Sequence, residues 1–206
     1  MNAASLMAVR PSKGEETRAQ ILAAAVDMAS QGGFESLTIG SLAEKTGMSK
    51  SGLFAHFGSK LELQLATLDE AARQFTESVF MPALKAPRGV RRLKALHENW
   101  LGWPQRRKLP GGCPMDAASR EYDHRPGPMR DAIMERQRQV ERECTKAVQL
   151  AIDTGELRKD TDASQVAFEF LSIVLAAFRA ELVHGPEVAS RRARVAFDRL
   201  IEANRS

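Results

Sequence analysis

The chain has 206 residues, enough for two small domains or one medium one, and its 43% hydrophobic content supports a real core. A net charge of +4 and a pI near 9.3 favour an anionic partner, although such charge also suits a solvated surface. Two cysteines, Cys113 and Cys144, exclude a disulfide framework and predict a reduced, cytoplasmic protein.

Residues 1–13 read as a loose basic arm carrying Arg10 and Lys13, without the long apolar stretch of a signal peptide. Helices are predicted at about 15–32, 39–46, 50–57 and 60–80, with breaks at Pro82 and at Pro87-Arg88-Gly89. A helix from Val90 to Trp103 precedes a basic loop, 104–112, and another runs from Cys113 to His124. The turn Arg125-Pro126-Gly127-Pro128 leads into a long charged helix from Met129 to about Thr154, closed by Gly155. Asp162 or Ser164 caps a helix to about His184, Gly185-Pro186 breaks it, and a final helix covers about Glu187 to Ala203. The longest apolar segment, Phe168 to Phe178, is interrupted by Glu169 and Ser172 and is too short for a membrane span. No segment alternates with period 2, so the expected fold is all-α.

Thr38 to Lys60 is the most informative stretch. Ile39, Leu42, Ala43 and Thr46 fall at helical spacing, and Gly47 supplies the positive φ that ends the first helix cheaply. Ser49 is a good N-cap for a second helix, with Leu53 and Phe57 four residues apart on its inner face. Small Ala43 allows two helices to cross closely. This is what a helix-turn-helix needs, although an ordinary surface helix pair carries the same local pattern. No carboxylate stands between Glu44 and Glu62, while Lys45, Lys50 and Lys60 do, as a surface lying on phosphates requires.

The segments TRAQILAAAVDMASQGGFESLTI and LAEKTGMSKSGLFAHFGSKLEL, in that order, resemble the N-terminal domain of TetR/AcrR-family transcriptional regulators. The resemblance covers roughly residues 15–65; the rest matches only in general helical character. It implies a helix-turn-helix DNA-binding domain over 14–65 and a helical effector-binding and dimerisation domain over 66–206. It also implies a ligand-responsive repressor that binds a palindromic operator as a homodimer and is released by a small effector. The alternative is a helical dimer or adaptor with another anionic partner. Carried over by position, Thr38 offers hydroxyl and backbone N–H to phosphate. Ser49, Lys50, Ser51 and Gly52 begin the recognition helix, where Lys50 is placed for a guanine edge. His56 and Lys60 match phosphate-binding positions, against the plainer readings of a packing histidine and a solvated helix start. Phe54 departs from the usual Tyr and loses a phosphate hydrogen bond.

In the larger domain, Leu96, Trp100 and Trp103 fall at i, i+4 and i+7 beside His97. Such a stripe is usually core, but in the family this segment lines the ligand cavity. Cys113 follows a Gly-Gly pair at a helix start after a basic loop, which would lower its pKa; an inert buried thiol is the plainer reading. Met115 and Met134 offer a soft apolar lining. On the next-to-last helix Phe170, Val174, Phe178 and Leu182 share a stripe, and the last helix adds Val195. A central core helix in a monomer would account for that stripe, and the resemblance points instead to a dimeric four-helix bundle. There is no glycine-rich phosphate loop, no HExxH and no Cys/His set with zinc spacing, so no catalytic, metal or cofactor site is expected. Glu121, Asp123 and His124 read as a solvated helix end.

Overall fold

The computed structural model of the chain describes residues 12–206. Its helices are α1 (Lys13–Gly32), α2 (Ile39–Thr46), α3 (Lys50–Phe57), α4 (Lys60–Phe75), α5 (Met81–Ala83), α6 (Val90–Leu101), α7 (Trp103–Arg106), α8 (Pro114–Tyr122), α9 (Pro128–Asp153), α10 (Ala163–His184) and α11 (Pro186–Ala203). Among the described residues the only extended pairing is a single bridge, Leu157 with Arg205, which ties the α9–α10 linker to the C-terminal end.

The helix starts follow from their caps. Ser12 and Glu15 form a reciprocal capping box, with the Ser12 N–H donating to Glu15 Oε2 at 2.7 Å. Helix α1 therefore begins at Lys13. Residues 1–11 of the expected basic arm lie outside the described residues, and Ser12 and Lys13 belong to the helix start rather than to an arm. Thr38 caps α2, Ser49 caps α3 and Ser59 caps α4, each accepting a backbone N–H three residues on. Gly47, at φ 69°, ends α2 in the left-handed region.

Three larger apolar clusters, with a small one at Leu101, Ala177 and Ala193, organise the described residues. Ile21, Leu22, Leu37, Leu42, Leu53, Phe57 and Leu63 close the first around α1–α3 and the start of α4. The largest joins α4 and α6 to α9, α10 and α11 through Phe75, Trp100, Trp103, Val148, Phe170 and Phe197. A smaller one, with Ala29, Phe34, Leu68, Ala118, Tyr122 and Ile133, sits between them. Helix α4 contributes to all three, so the expected boundary at residues 65 and 66 falls inside a continuous helix.

The expected helix over 60–80 does not stay α-helical. Thr76–Phe80 is a π turn. Pro82 has no N–H to donate to the Ser78 carbonyl, and the Arg106 guanidinium reaches that oxygen at 3.4 Å instead. Asn99 Nδ2 donates to the Val79 carbonyl at 3.1 Å. The expected helix over Val90–Trp103 breaks at Gly102, and the one-turn α7 starts with Trp103-Pro104. Helix α8 stops at Tyr122, two residues short of the expected His124.

Candidate DNA interface and effector cavity

The helix-turn-helix face is built from α2 and α3. Leu53 and Phe57 point into the first cluster, which leaves Lys50, Ser51 and Phe54 on the exposed side of α3. Phe54 is 52% exposed. Ser49 Oγ accepts the Gly52 N–H at 3.1 Å, and a Cβ on Gly52 would stand 3.2 Å from that oxygen. Gly52 therefore leaves room for the cap as well as for close approach. The Thr38 hydroxyl accepts the Ser41 N–H at 3.0 Å, so its first duty is the α2 cap. His56 is half-buried beside Phe57, with ring centroids 6.2 Å apart. Arg18 of α1 lies over the other part of that pair, 5.1 Å from the Phe57 centroid. Lys60 Nζ is 3.0 Å from Glu35 Oε2. A phosphate contact from Lys60 would therefore have to replace its ion pair with Glu35.

Behind this unit lies a cavity of about 670 Å³. Phe75, Phe80, Trp100 and Phe178 supply aromatic walls, with Leu171, Val140, Met115 and Cys113 between them; Thr76, Ser119, Arg136 and Gln137 supply polar groups. The π turn brings Thr76 and Phe80 to the wall together with Phe75. Of the sequence-derived cavity residues, Trp100, Cys113 and Met115 line it. Leu96, His97 and Trp103 do not: they are fully buried in the core behind the wall. Met134 packs instead in the small central cluster. The expected low thiol pKa at Cys113 gives way to the reverse. Burial pushes the Cys113 thiol up to about 11, and the backbone N–H groups of Asp116 and Met115 do not offset it. Cys144 is pushed up to about 12 by burial, with Glu143 and Glu141 adding to the effect.

The α10–α11 stripe divides differently from its sequence reading. Phe170 and Val174, at 2% and 0% exposure, are core of the protomer, because α10 has α9 on one side and α11 on the other. Phe178 faces the cavity. Leu182 and Val195 are exposed, and Val183, Leu175 and Phe168 join them as large exposed apolar side chains.

The end of α8 is solvated at Asp123 and His124 but not at Glu121. His124 and Asp123 are exposed, but the Glu121 carboxylate accepts two successive backbone N–H groups of the α1–α2 loop, from Phe34 at 2.7 Å and Glu35 at 2.8 Å. The Tyr122 hydroxyl donates to Glu35 Oε1 at 2.8 Å. That bond, and then the bond from Lys60, hold the Glu35 carboxyl below the usual range. Burial, reinforced by Glu35, raises the Tyr122 phenol, so it stays a donor. These contacts span 86 or 87 residues, beyond the reach of any local pattern.

Comparison with known proteins follows the same division. Residues 21–67 match the tetR family of bacterial regulatory proteins, and residues 89–197 match the Tetracyclin repressor-like C-terminal domain. The structure is similar to a TetR-family transcriptional regulator from Cytophaga hutchinsonii, with 18% identity over 96% of this chain and 98% of that one and a TM-score of 0.82. A TetR transcriptional regulator from Chloroflexus aurantiacus shares 25% identity over 92% and 94% of the two chains, with a TM-score of 0.80. AibR, in a crystal structure with isovaleryl coenzyme A and operator DNA, shares 22% identity over 84% and 94%, with a TM-score of 0.65. No curated protein matches the sequence. With both its DNA-binding and its C-terminal segments matched, the chain belongs to the TetR family of bacterial transcriptional regulators.

Proposed function

We propose that this regulator is a repressor that binds a palindromic operator as a homodimer and leaves it when a small molecule fills the cavity. The observation that carries the reading is one continuous helix, α4, running from the helix-turn-helix core at Leu63 to the cavity wall at Phe75. The aromatic walls suit an effector with a substantial apolar part, and the polar lining, with Arg136 beside Asp116, Glu141 and Glu143, suits a hydrogen-bonding or charged group on it. The AibR complex with isovaleryl coenzyme A and operator DNA supports a DNA face and a small-molecule site on one chain of this fold; it does not bear on release. Effector binding has to favour a conformation whose recognition helices are wrongly spaced, because a ligand with equal affinity for both conformations shifts nothing.

Selection of bound sequences from a random duplex pool tests the reading. The expected outcome is a two-fold symmetric motif with half-sites about one helical turn apart, roughly 34–36 Å. A pool that shows no enrichment, or enrichment of a motif without symmetry, rules the proposal out.

Two substitutions on α3 refine the interface. Lys50→Ala relaxes preference at one position of each half-site, costing about 1–3 kcal/mol there, because Lys50 stands exposed in the first turn of α3. Repeating the selection with this variant checks it, and an unchanged motif removes Lys50 from the reading set. Phe54→Tyr tightens binding to all duplexes, by about 0.5–1.5 kcal/mol for one added hydrogen bond. The exposed ring leaves room for a hydroxyl. Titration of the selected duplex against a shuffled one measures it, and weaker binding by a folded variant counts against a phosphate next to residue 54.

A further inference from the structure

We propose that the effector is a cation, an amine or quaternary ammonium on an apolar body, and that the Glu141 carboxylate receives its charge at the rim of the cavity. The inference rests on the reading of the cavity as the effector site. Among the described residues, the charged side chains of the lining are Asp116, Arg136, Glu141 and Glu143. Three carboxylates thus stand with one guanidinium. That guanidinium is already matched, because Arg136 Nη2 donates to Asp69 Oδ1. Asp116 is matched by Arg120, one turn on in α8, and Glu143 by Lys146 Nζ at 2.8 Å. Glu141 is different: its carboxylate enters no ion pair among the described residues. The neighbouring cations of α9 are engaged elsewhere, since Arg138 and Arg142 both bond Glu135, at 3.1 Å and 2.8 Å. The lining therefore keeps one uncompensated negative charge, at Glu141.

The wall beneath Glu141 suits the rest of such a molecule. Phe75, Phe80, Trp100 and Phe178 line it. Phe75 packs edge-on against Trp100 at 4.8 Å and against Phe80 at 5.7 Å between ring centroids. Aromatic faces attract cations, and a quaternary ammonium has no N–H group that must be satisfied on leaving water. Val140, next to Glu141 in α9, lines the cavity as well. One molecule can therefore seat an apolar body against Val140 and the rings while its charge stays beside the partly hydrated carboxylate. An anionic effector meets the opposite situation. It faces Glu141 with no free cation near it, and it would have to take Arg136 away from Asp69. The preference is local, because the chain as a whole carries a net charge of +4.

Tetraphenylphosphonium and tetraphenylborate have the same shape and opposite charge, so they read the sign preference of the cavity directly. Each is titrated into the full chain by calorimetry in sodium buffer. The fluorescence of Trp100 and Trp103, the two tryptophans of the chain, places the binding at the wall. A flexible pair, decyltrimethylammonium and decanesulfonate, repeats the comparison with a body of different shape. The cations are expected to bind at least about tenfold more tightly than the matching anions, although the net charge of +4 favours an anion everywhere else. Glu141→Gln, at an exposed position that leaves the fold intact, is expected to weaken the cations about three- to tenfold and to spare the anions. It should also flatten the salt dependence of cation binding. Asp160→Asn makes the same change in net charge at an 84% exposed side chain of the α9–α10 linker and should move neither readout. Anions that bind as tightly as the cations, no saturable binding of either cation, or equal cation affinity with Glu141 and with Gln there, overturns the proposal. Anion binding with the same tryptophan response would do so while leaving the cavity as an effector site. Cation binding that depends on Glu141 but does not release the selected duplex would instead remove the effector reading and leave the cation site standing.

Discussion

Leu182→Glu is expected to break the proposed dimer and leave a folded monomer of 22.7 kDa in sedimentation. Leu182 is 84% exposed at the C-terminal end of α10, with Val183 beside it and Val195 exposed on α11. A run of large apolar side chains in water on two adjacent helices has an unfavourable contact with solvent that the second copy of the proposed dimer would relieve. Because Leu182 contributes little to the protomer's own core, a charge there costs the monomer little, while it leaves an unpaired carboxylate inside a dimer interface. Operator binding should then weaken by about 10²–10⁴-fold, since the second half-site is no longer held by the same molecule. The contrast with Val174→Glu is informative. Val174 is fully buried within the protomer, so that variant should unfold rather than dissociate. A folded dimer of native size for Leu182→Glu would place the interface away from the end of α10.

The difference between Leu182 and Val174 shows where the sequence stops being informative. Both sit on one helical stripe, and periodicity gives the stripe without saying which neighbour covers which part of it. Helix α10 lies between α9 and α11, so its middle is consumed by the protomer and only its end and outer edge are left over. The helix-turn-helix was legible because its signals are local. Thr38, Ser49 and Ser59 cap within three residues, and Gly47 turns the chain where it stands. Glu121 and Glu35 were not legible, because the amides and hydroxyl they engage lie far away in sequence. At Cys113 the plainer reading, an inert buried thiol, fits the structure, and the reactive one does not. The helix start and the nearby basic loop argue for a low thiol pKa, but burial against the cavity wall outweighs both.

His97→Phe is expected to stabilise the protein and to flatten its acid sensitivity. His97 is fully buried in α6, neither ring nitrogen has a hydrogen-bond partner among the described residues, and its ring stacks on Phe197 at 4.6 Å with Phe170 edge-on at 6.0 Å. Two bare ring nitrogens in an aromatic pocket carry a desolvation cost of about 1–3 kcal/mol, which a phenyl ring of similar shape does not. Burial lowers the His97 pKa from 6.5 to about 4; the nearby charges divide, with Glu98 and Asp198 opposing the shift and Arg194 and Lys94 adding to it. The neutral ring is the folded form, so the unfolded chain binds the extra proton between these two values. The stability that His97 contributes by staying neutral is complete above about pH 6.5, declines as pH falls toward 4, and falls no further below that. Across that window the loss is on the order of 3 kcal/mol. Urea titrations at pH 7, 5.5 and 4.5 measure it. The wild type should lose stability steadily through the series, while His97→Phe should lose markedly less over the same interval. Equal losses in the two proteins would mean that a carboxylate pair elsewhere, such as Glu98 with Arg194 at 2.8 Å, carries the acid sensitivity.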